Sequence, residues 1–157
     1  LGCMNVLVRN TLRMRDEGRL FDDGLDMGVC LVNRKTRKVI FAGARIPVFI
    51  LSNHELTWIK GDTESLGYKS SNPNHVFRNN HFDVPESSSL YLSTDGLIEQ
   101  IGGDKRLPFG RAGFSRFIRD NGARPMIEQR DRLLDVFVHY RSGEDQRDDV
   151  TVLGVRV

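Results

Sequence analysis

Apolar residues recur at helical spacing near the start of the chain, where Met4, Leu7, Val8, Leu12 and Met14 share one face. This predicts a moderately amphipathic helix over residues 2–15, stopped at Asp16-Glu17-Gly18 and followed by a turn at Asp22-Asp23-Gly24. The pattern then turns to strands. Met27 to Asn33 and Val39 to Ala44 flank the polar run Arg34-Lys35-Thr36-Arg37-Lys38, which predicts a hairpin with a solvated tip. Pro47 to Ser52 and Leu56 to Lys60 predict a second hairpin. Residues 61–75, rich in Gly, Ser, Asn and Pro, read as a loop. Val76 to Val84 and Leu90 to Thr94 are further strands, the latter delivered by Pro85-Glu86-Ser87-Ser88-Ser89.

Two helical stretches follow. Arg111 to Asp120 places Phe114, Phe117 and Ile118 on one face, and Met126 to Tyr140 carries Ile127, Leu133, Leu134, Phe137 and Val138. Pro125 stands near the start of the second, where proline is tolerated. Val150 to Val157 closes the chain as a strand. The order is helix, about six strands, two helices, strand, with no internal repeat. Antiparallel hairpins with helices placed late predict an α+β fold of sheets flanked by helices.

Composition narrows the function classes. The 157 residues are enough for one domain with a real core. Lys and Arg number 23 against 21 Asp and Glu, a net charge of +2, and the two signs are mixed along the chain without a basic stripe. Nucleic acid is therefore not expected as the main partner. Cys3 and Cys30 lie far apart, without zinc or disulfide spacing, and are expected to be small buried thiols. Reduced thiols, together with the lack of a signal peptide or a membrane-length apolar run, fit the cytoplasm. Leu1 is not a translation start, so an upstream region is expected, and that region is where a full-length protein would carry any membrane anchor.

Two acidic spots stand out by position. In Ser93-Thr94-Asp95-Gly96 a carboxylate ends a strand and is followed by a glycine, which permits a sharp turn or close approach of backbone to a ligand. Arg147-Asp148-Asp149 stands just before the last strand. Carboxylates at strand ends offer Mg²⁺ or Mn²⁺ hard oxygen ligands on rigid supports. They share one metal only if their strands are neighbours. Taken singly, Asp95-Gly96 also reads as a turn and Asp148-Asp149 as a solvated strand boundary.

The whole set of motifs resembles the PPM family of metal-dependent protein phosphatases (protein phosphatase 2C-like), in its bacterial SpoIIE/RsbU-type branch. Gly24-Leu25-Asp26-Met27-Gly28-Val29-Cys30 resembles the branch's strand entry, and Phe41-Ala42-Gly43-Ala44-Arg45-Ile46-Pro47 its "AGA-x-x-P" hairpin. Lys60-Gly61-Asp62 and Leu66-Gly67 match the following loop. Leu92-Ser93-Thr94-Asp95-Gly96-Leu97 is similar to its DG metal motif, Ile101-Gly102-Gly103 with Phe109 to a loop of sensor-linked members, and Asp148-Asp149-Val150-Thr151 to the closing "DD-x-T" motif.

The resemblance implies an α-β-β-α sandwich and a binuclear Mn²⁺ or Mg²⁺ centre. Asp95 and Asp148 would be metal ligands and the catalytic aspartates, Asp149 a further metal candidate, and Gly96 the residue beside the bound ions. Asp26 is a candidate for a supporting role beside the site, with strand capping an equal alternative. Two metals would activate and orient a water and neutralise phosphoryl charge, so no protein nucleophile is needed. The implied substrate is a phosphorylated STAS-type anti-sigma-factor antagonist, with an upstream sensory region on the same full-length chain and a homodimer as further partners. The family also uses an aspartate in an upstream "GD-x-x-GHG" loop. That loop is absent from this sequence, and Leu1-Gly2-Cys3-Met4 resembles the helix immediately after it. The expectation is a single SpoIIE-type domain over residues 1–157 that lacks its N-terminal half-site. A non-catalytic PPM-like binding module is the alternative.

Of the remaining residues, His54, His75, His81 and His139 show no clustered ligand spacing and are expected at the surface or in loops. Trp58 is expected to pack in the core or its hairpin. Leu7, Val8 and Leu12 either pack inward or form a contact face coupling an upstream region to the site.

Overall fold

The computed structural model describes residues 1–13 and 23–157. The predicted helix end at residues 14–15, its stop at residues 16–18 and the Asp22 part of the turn lie outside the described residues. The helix itself is α1, Gly2–Arg13. Strands β1 (Met27–Asn33), β2 (Lys38–Ala44), β3 (Val48–Ser52), β4 (Glu55–Ile59), β5 (Asn80–Asp83) and β6 (Ser89–Ser93) follow. Then come α2 (Asp95–Glu99), the two-residue strands β7 (Ile101–Gly102) and β8 (Leu107–Pro108), α3 (Gly110–Asn121), α4 (Met126–Arg141) and β9 (Val152–Arg156). All the sheet pairings are antiparallel where register is defined. The α+β class expected from the sequence is the observed one.

The described residues form two compact units. In the first, β1, β2 and β5 make a three-stranded sheet in the order β1-β2-β5. The β1–β2 register runs from Met27 opposite Ala44 to Asn33 opposite Lys38. At its tip, the Asn33 side chain accepts the amides of Lys35 and Thr36, a local bond that lets asparagine start a tight turn. At the other end, Gly43 and Gly61 meet. A Cβ on Gly43 would stand 2.3 Å from the Ile46 carbonyl, so only glycine permits this approach.

Helix α1 is anchored in this unit by buried polar side chains as well as apolar ones. Asn5 and Arg9 are buried, whereas Val6 and Leu7 are exposed. Asn5 accepts the Gly67 amide at 3.0 Å and donates to the Asn72 carbonyl, and Arg9 donates to the carbonyls of Tyr68 and Ser71. Val8 and Leu12 sit over Gly67, which is in the left-handed region and has no room for a side chain. Of the predicted apolar face, Leu7 thus points outward while Val8 and Leu12 pack on the 66–72 loop. Cys3 is exposed, against the buried thiol expected, because its place on α1 is next to the outward-facing positions. Cys30 is half-buried, and burial pushes its thiol up to about 11.

The second unit holds the sheet ordered β4-β3-β6-β9. Its core gathers Phe49, Tyr91, Leu97, Phe114, Phe117, Ile118 and Phe137, with Phe49 meeting Phe114 edge-to-face at 5.2 Å. Trp58 stacks on Phe49 and lies under the Arg111 guanidinium, so it packs within its hairpin sheet while remaining partly exposed. Helix α4 buries Phe137 and the polar Gln129, while Ile127, Leu134 and Val138 of its apolar positions are exposed. Gln129 is satisfied by the Tyr91 hydroxyl and by the carbonyls of Gly122 and Arg124. The predicted strand at residues 76–84 is shorter than expected. Only Asn80–Asp83 pairs with β2, because Phe77 is drawn into a local core with Ala44 and Leu66.

Candidate metal centre

Strands β6 and β9 are hydrogen-bonded neighbours, with Ser93 opposite Val152 and Ser89 opposite Arg156. This antiparallel register puts the end of β6 and the approach to β9 at the same edge of the sheet. Asp95 is the first residue of α2, directly after β6, and Asp148 and Asp149 lie in the segment entering β9. All three carboxylates are on exposed residues. The sequence condition that the two acidic motifs sit on neighbouring strands is met.

The junction is tightly made. The Thr94 amide donates to the Thr151 carbonyl at 3.0 Å, and the Thr151 amide returns a bond to Thr94 Oγ1 at 2.9 Å. Thr94 Oγ1 also reaches the Asp149 carbonyl at 3.1 Å. Gly96 is buried beneath the same segment. A Cβ on it would stand 2.5 Å from the Asp149 carbonyl oxygen and 3.2 Å from that of Asp148. The close approach that this glycine permits is therefore to the Asp148–Asp149 backbone. Asp148 Oδ1 accepts the Asp149 amide at 2.7 Å, and Gln146 Nε2 holds the Asp148 carbonyl at 2.9 Å, so the carboxylate is oriented locally.

Helix α2 itself is a structural finding that periodicity does not reveal, because five residues are too few to show a 3.6-residue repeat. Gln100, just past its end, is wholly buried. Its Nε2 donates to the carbonyls of Ile101 and Asp145, both at 3.0 Å. Thr94, Thr151, Gln100 and Gln146 all support the acidic edge. Only the first two fall within motifs visible in the sequence.

Asp26 belongs to the other unit. Its Oδ2 is 3.4 Å from Arg45 Nε, and its enclosed Oδ1 has no hydrogen-bond partner among the described residues. In the same unit, Asp62 and His75 form a pair at 3.0 Å that the sequence does not announce. Burial works to raise the Asp62 pKa. The Arg78 amide, the His75 hydrogen bond and the electrostatic pull of the neighbouring His75 and Arg78 outweigh it and hold the carboxyl below its ordinary value.

The donor chemistry suits a hard divalent cation: exposed carboxylates are carried by segments at one sheet edge whose backbone is fixed by the threonine pair. Among the described residues, no group of three or more His, Cys, Asp or Glu side chains is placed to hold a metal ion. Among the described residues, no helix is long and apolar enough to cross a membrane.

The SiaA-PP2C domain of Pseudomonas aeruginosa superposes with a TM-score of 0.84 at 28% identity, covering 98% of this chain and 57% of that one. The phosphatase domain of the cell fate determinant SpoIIE from Bacillus subtilis matches with a TM-score of 0.63 at 15% identity, over 98% of this chain and 66% of that one. The catalytic domain of the serine/threonine protein phosphatase PstP, solved in complex with two manganese ions, gives 0.67 at 16% identity, with 98% and 66% covered. The fold is thus that of PP2C phosphatase domains, and the chain spans less than two thirds of these relatives' length. No protein of curated function matches the sequence significantly. The family model for Stage II sporulation protein E (SpoIIE) matches residues 7–157. With nearly the whole chain matched and the DG and DD-x-T segments joined at one sheet edge, this chain belongs to the SpoIIE family.

Proposed function

We propose that this chain is part of a metal-dependent protein serine/threonine phosphatase that hydrolyses phosphoserine or phosphothreonine on a signalling partner. The observation that carries the reading is the β6–β9 junction, where Asp95 and Asp148 are brought to one edge under the Thr94–Thr151 pair. Family membership and the manganese-bound PstP relative support the choice of Mn²⁺ or Mg²⁺. Asp95 and Asp148 would hold the metal, with Asp149 as a further ligand and Gly96 letting the two segments close up. When bound, a metal pair supplies charge neutralisation at the phosphoryl group and an activated water. The chain's own part is to hold these carboxylates rigidly, since their backbone is hydrogen-bonded on both sides of the junction.

In this reading residues 1–157 act as one domain with an upstream segment that completes the metal shell. The substrate is a phosphorylated STAS-domain protein in a partner-switching pathway, an upstream sensory region of the same protein regulates the site, and the protein works in the cytoplasm. The exposed Leu7 on α1 is the contact expected in a regulatory homodimer.

The second reading is a non-catalytic binding module. It is favoured by the absence, among the described residues, of a complete metal-holding cluster. Mn²⁺-dependent phosphate release from a phosphoserine substrate separates the two. It should be measured on this chain and on a form extended upstream of Leu1, with Asp95→Ala and Asp148→Ala as controls. Activity in the extended form, lost in both variants, supports the phosphatase. Silence of the extended form with metal present supports the binding module.

A further inference from the structure

We propose that Gln100 is a positioning residue of the candidate metal centre: its side-chain amide ties the helix that begins at Asp95 to the loop that ends at Asp148. The inference rests on the metal-site reading above and deepens it.

Helix α2 is only five residues long, so Asp95 at its start and Gln100 just past its end are separated by about 7.5 Å of helical rise. A segment this short behaves as a strut. From its far end, Gln100 Nε2 reaches the carbonyl of Asp145, three residues before Asp148. The same amide group also holds the Ile101 carbonyl, which fixes the direction in which it points.

The loop between α4 and β9 is held at successive residues. Arg141 Nε donates to the Glu144 carbonyl at 3.1 Å, and Arg106 pairs with the Glu144 carboxylate at 2.9 Å. Gln100 takes the Asp145 carbonyl, Gln146 that of Asp148, and Thr94 that of Asp149. Of these holders Gln100 is the one wholly removed from solvent. Its donor end is thereby fixed in place by packing, although the Asp145 carbonyl it holds belongs to an exposed residue.

The glutamine satisfies the Ile101 and Asp145 carbonyls but is itself only half satisfied. Its Oε1 is enclosed and has no partner among the described residues, a cost that an apolar side chain of the same length would avoid. What the glutamine supplies, and an apolar residue would not, is the donor that joins Asp95's helix to Asp148's loop. Partners hydrogen-bonded directly to metal ligands typically change metal affinity about tenfold or more when removed, which sets the upper end for a residue that acts through the loop backbone.

The test uses Gln100→Met, which keeps the length of the side chain, and Gln100→Glu, which keeps its shape but removes the donor. Both are made in the form extended upstream of Leu1, alongside Asp95→Ala and Asp148→Ala. Mn²⁺ binding is read directly from the electron paramagnetic resonance of the free ion, and separately from the Mn²⁺ dependence of phosphate release. The expected result is an Mn²⁺ half-saturation raised by up to about tenfold in both Gln100 variants, read at a temperature where each variant is fully folded. Parent-like Mn²⁺ binding in Gln100→Met overturns the inference, as does a loss of turnover at saturating Mn²⁺ with unchanged affinity. If Asp95→Ala and Asp148→Ala themselves bind Mn²⁺ like the parent, the metal-site reading falls and this inference with it. If those two lose binding and Gln100→Met does not, only this inference falls.

Discussion

Thr94 and Thr151 hold each other through two reciprocal bonds, amide to carbonyl at 3.0 Å and amide to hydroxyl at 2.9 Å, across 57 residues of chain. The first is backbone to backbone. The second depends on the Thr94 side chain, which also contacts the Asp149 carbonyl. Thr94→Val keeps the shape and removes these side-chain bonds. It is expected to cost about 1 kcal/mol of stability, read as a shift in urea midpoint at constant slope. In the metal-site reading it also weakens Mn²⁺ binding, because Asp148 and Asp149 lose a restraint.

Gly96→Ala tests the close approach at the same edge. The added Cβ meets the Asp149 carbonyl oxygen at 2.5 Å, and backbone on that side must move. The expected penalty is about 1–3 kcal/mol, characteristic of overpacking. Gly2→Ala is the control, since nothing stands within 4 Å of its Cβ and alanine favours a helix. A Gly96→Ala protein as stable as Gly2→Ala would show that the junction is looser than described.

Arg9→Met removes the donor that α1 presents to the Tyr68 and Ser71 carbonyls. Amide hydrogen exchange in residues 66–72 should accelerate, together with a loss of about 1–3 kcal/mol for the buried carbonyls left unpaired. Leu7→Ala should leave the monomer's stability within about 0.5 kcal/mol of the parent, because Leu7 is exposed.

Asp62 links stability to acid pH. Its folded pKa lies below the ordinary value, so the carboxylate binds protons less readily in the folded state. The stabilisation it contributes is present above the unfolded pKa of about 3.9 and is lost as pH falls through the lower folded value. Denaturant midpoints measured between pH 5 and 2 should show this loss in the parent and less of it in Asp62→Asn. Carbon-13 titration of the Asp62 carboxyl gives the direction of the shift independently.

The two thiols should differ in reactivity. Cys3 is exposed, whereas the Cys30 thiol is pushed up to about 11 and remains protonated at pH 8. A thiol reagent at pH 8 should modify one cysteine quickly and the other only on unfolding. Cys3→Ser should abolish the fast phase.

Much of the element order was legible because it depends on local pattern. The Met27–Asn33 strand, the solvated turn after it and helices α3 and α4 fall where apolar spacing and turn residues predict them. The acidic motifs were legible as motifs. Their supports were less so, since a search for apolar periodicity passes over buried polar residues. Asn5 and Arg9 bury a polar side of α1, Gln129 one of α4, and Gln100 supports the acidic edge, each because a backbone carbonyl or amide outside its own helix needs a partner. Helix α2 escaped for the opposite reason, being shorter than the period that identifies helices.

The sequence by itself determined most of the longer strands, the longer helices and the chemical types at the two acidic motifs, because rotamer, turn and burial preferences act over a few residues; the two-residue strands β7 and β8 carried no such pattern. Only the tertiary structure decided that β6 and β9 are neighbours and in which register. That choice brings the segments carrying Asp95 and Asp148 to one sheet edge and requires glycine at residue 96. It rests on which faces pack and which carbonyls find donors, and such pairings form between segments whose separation along the chain carries no local signal.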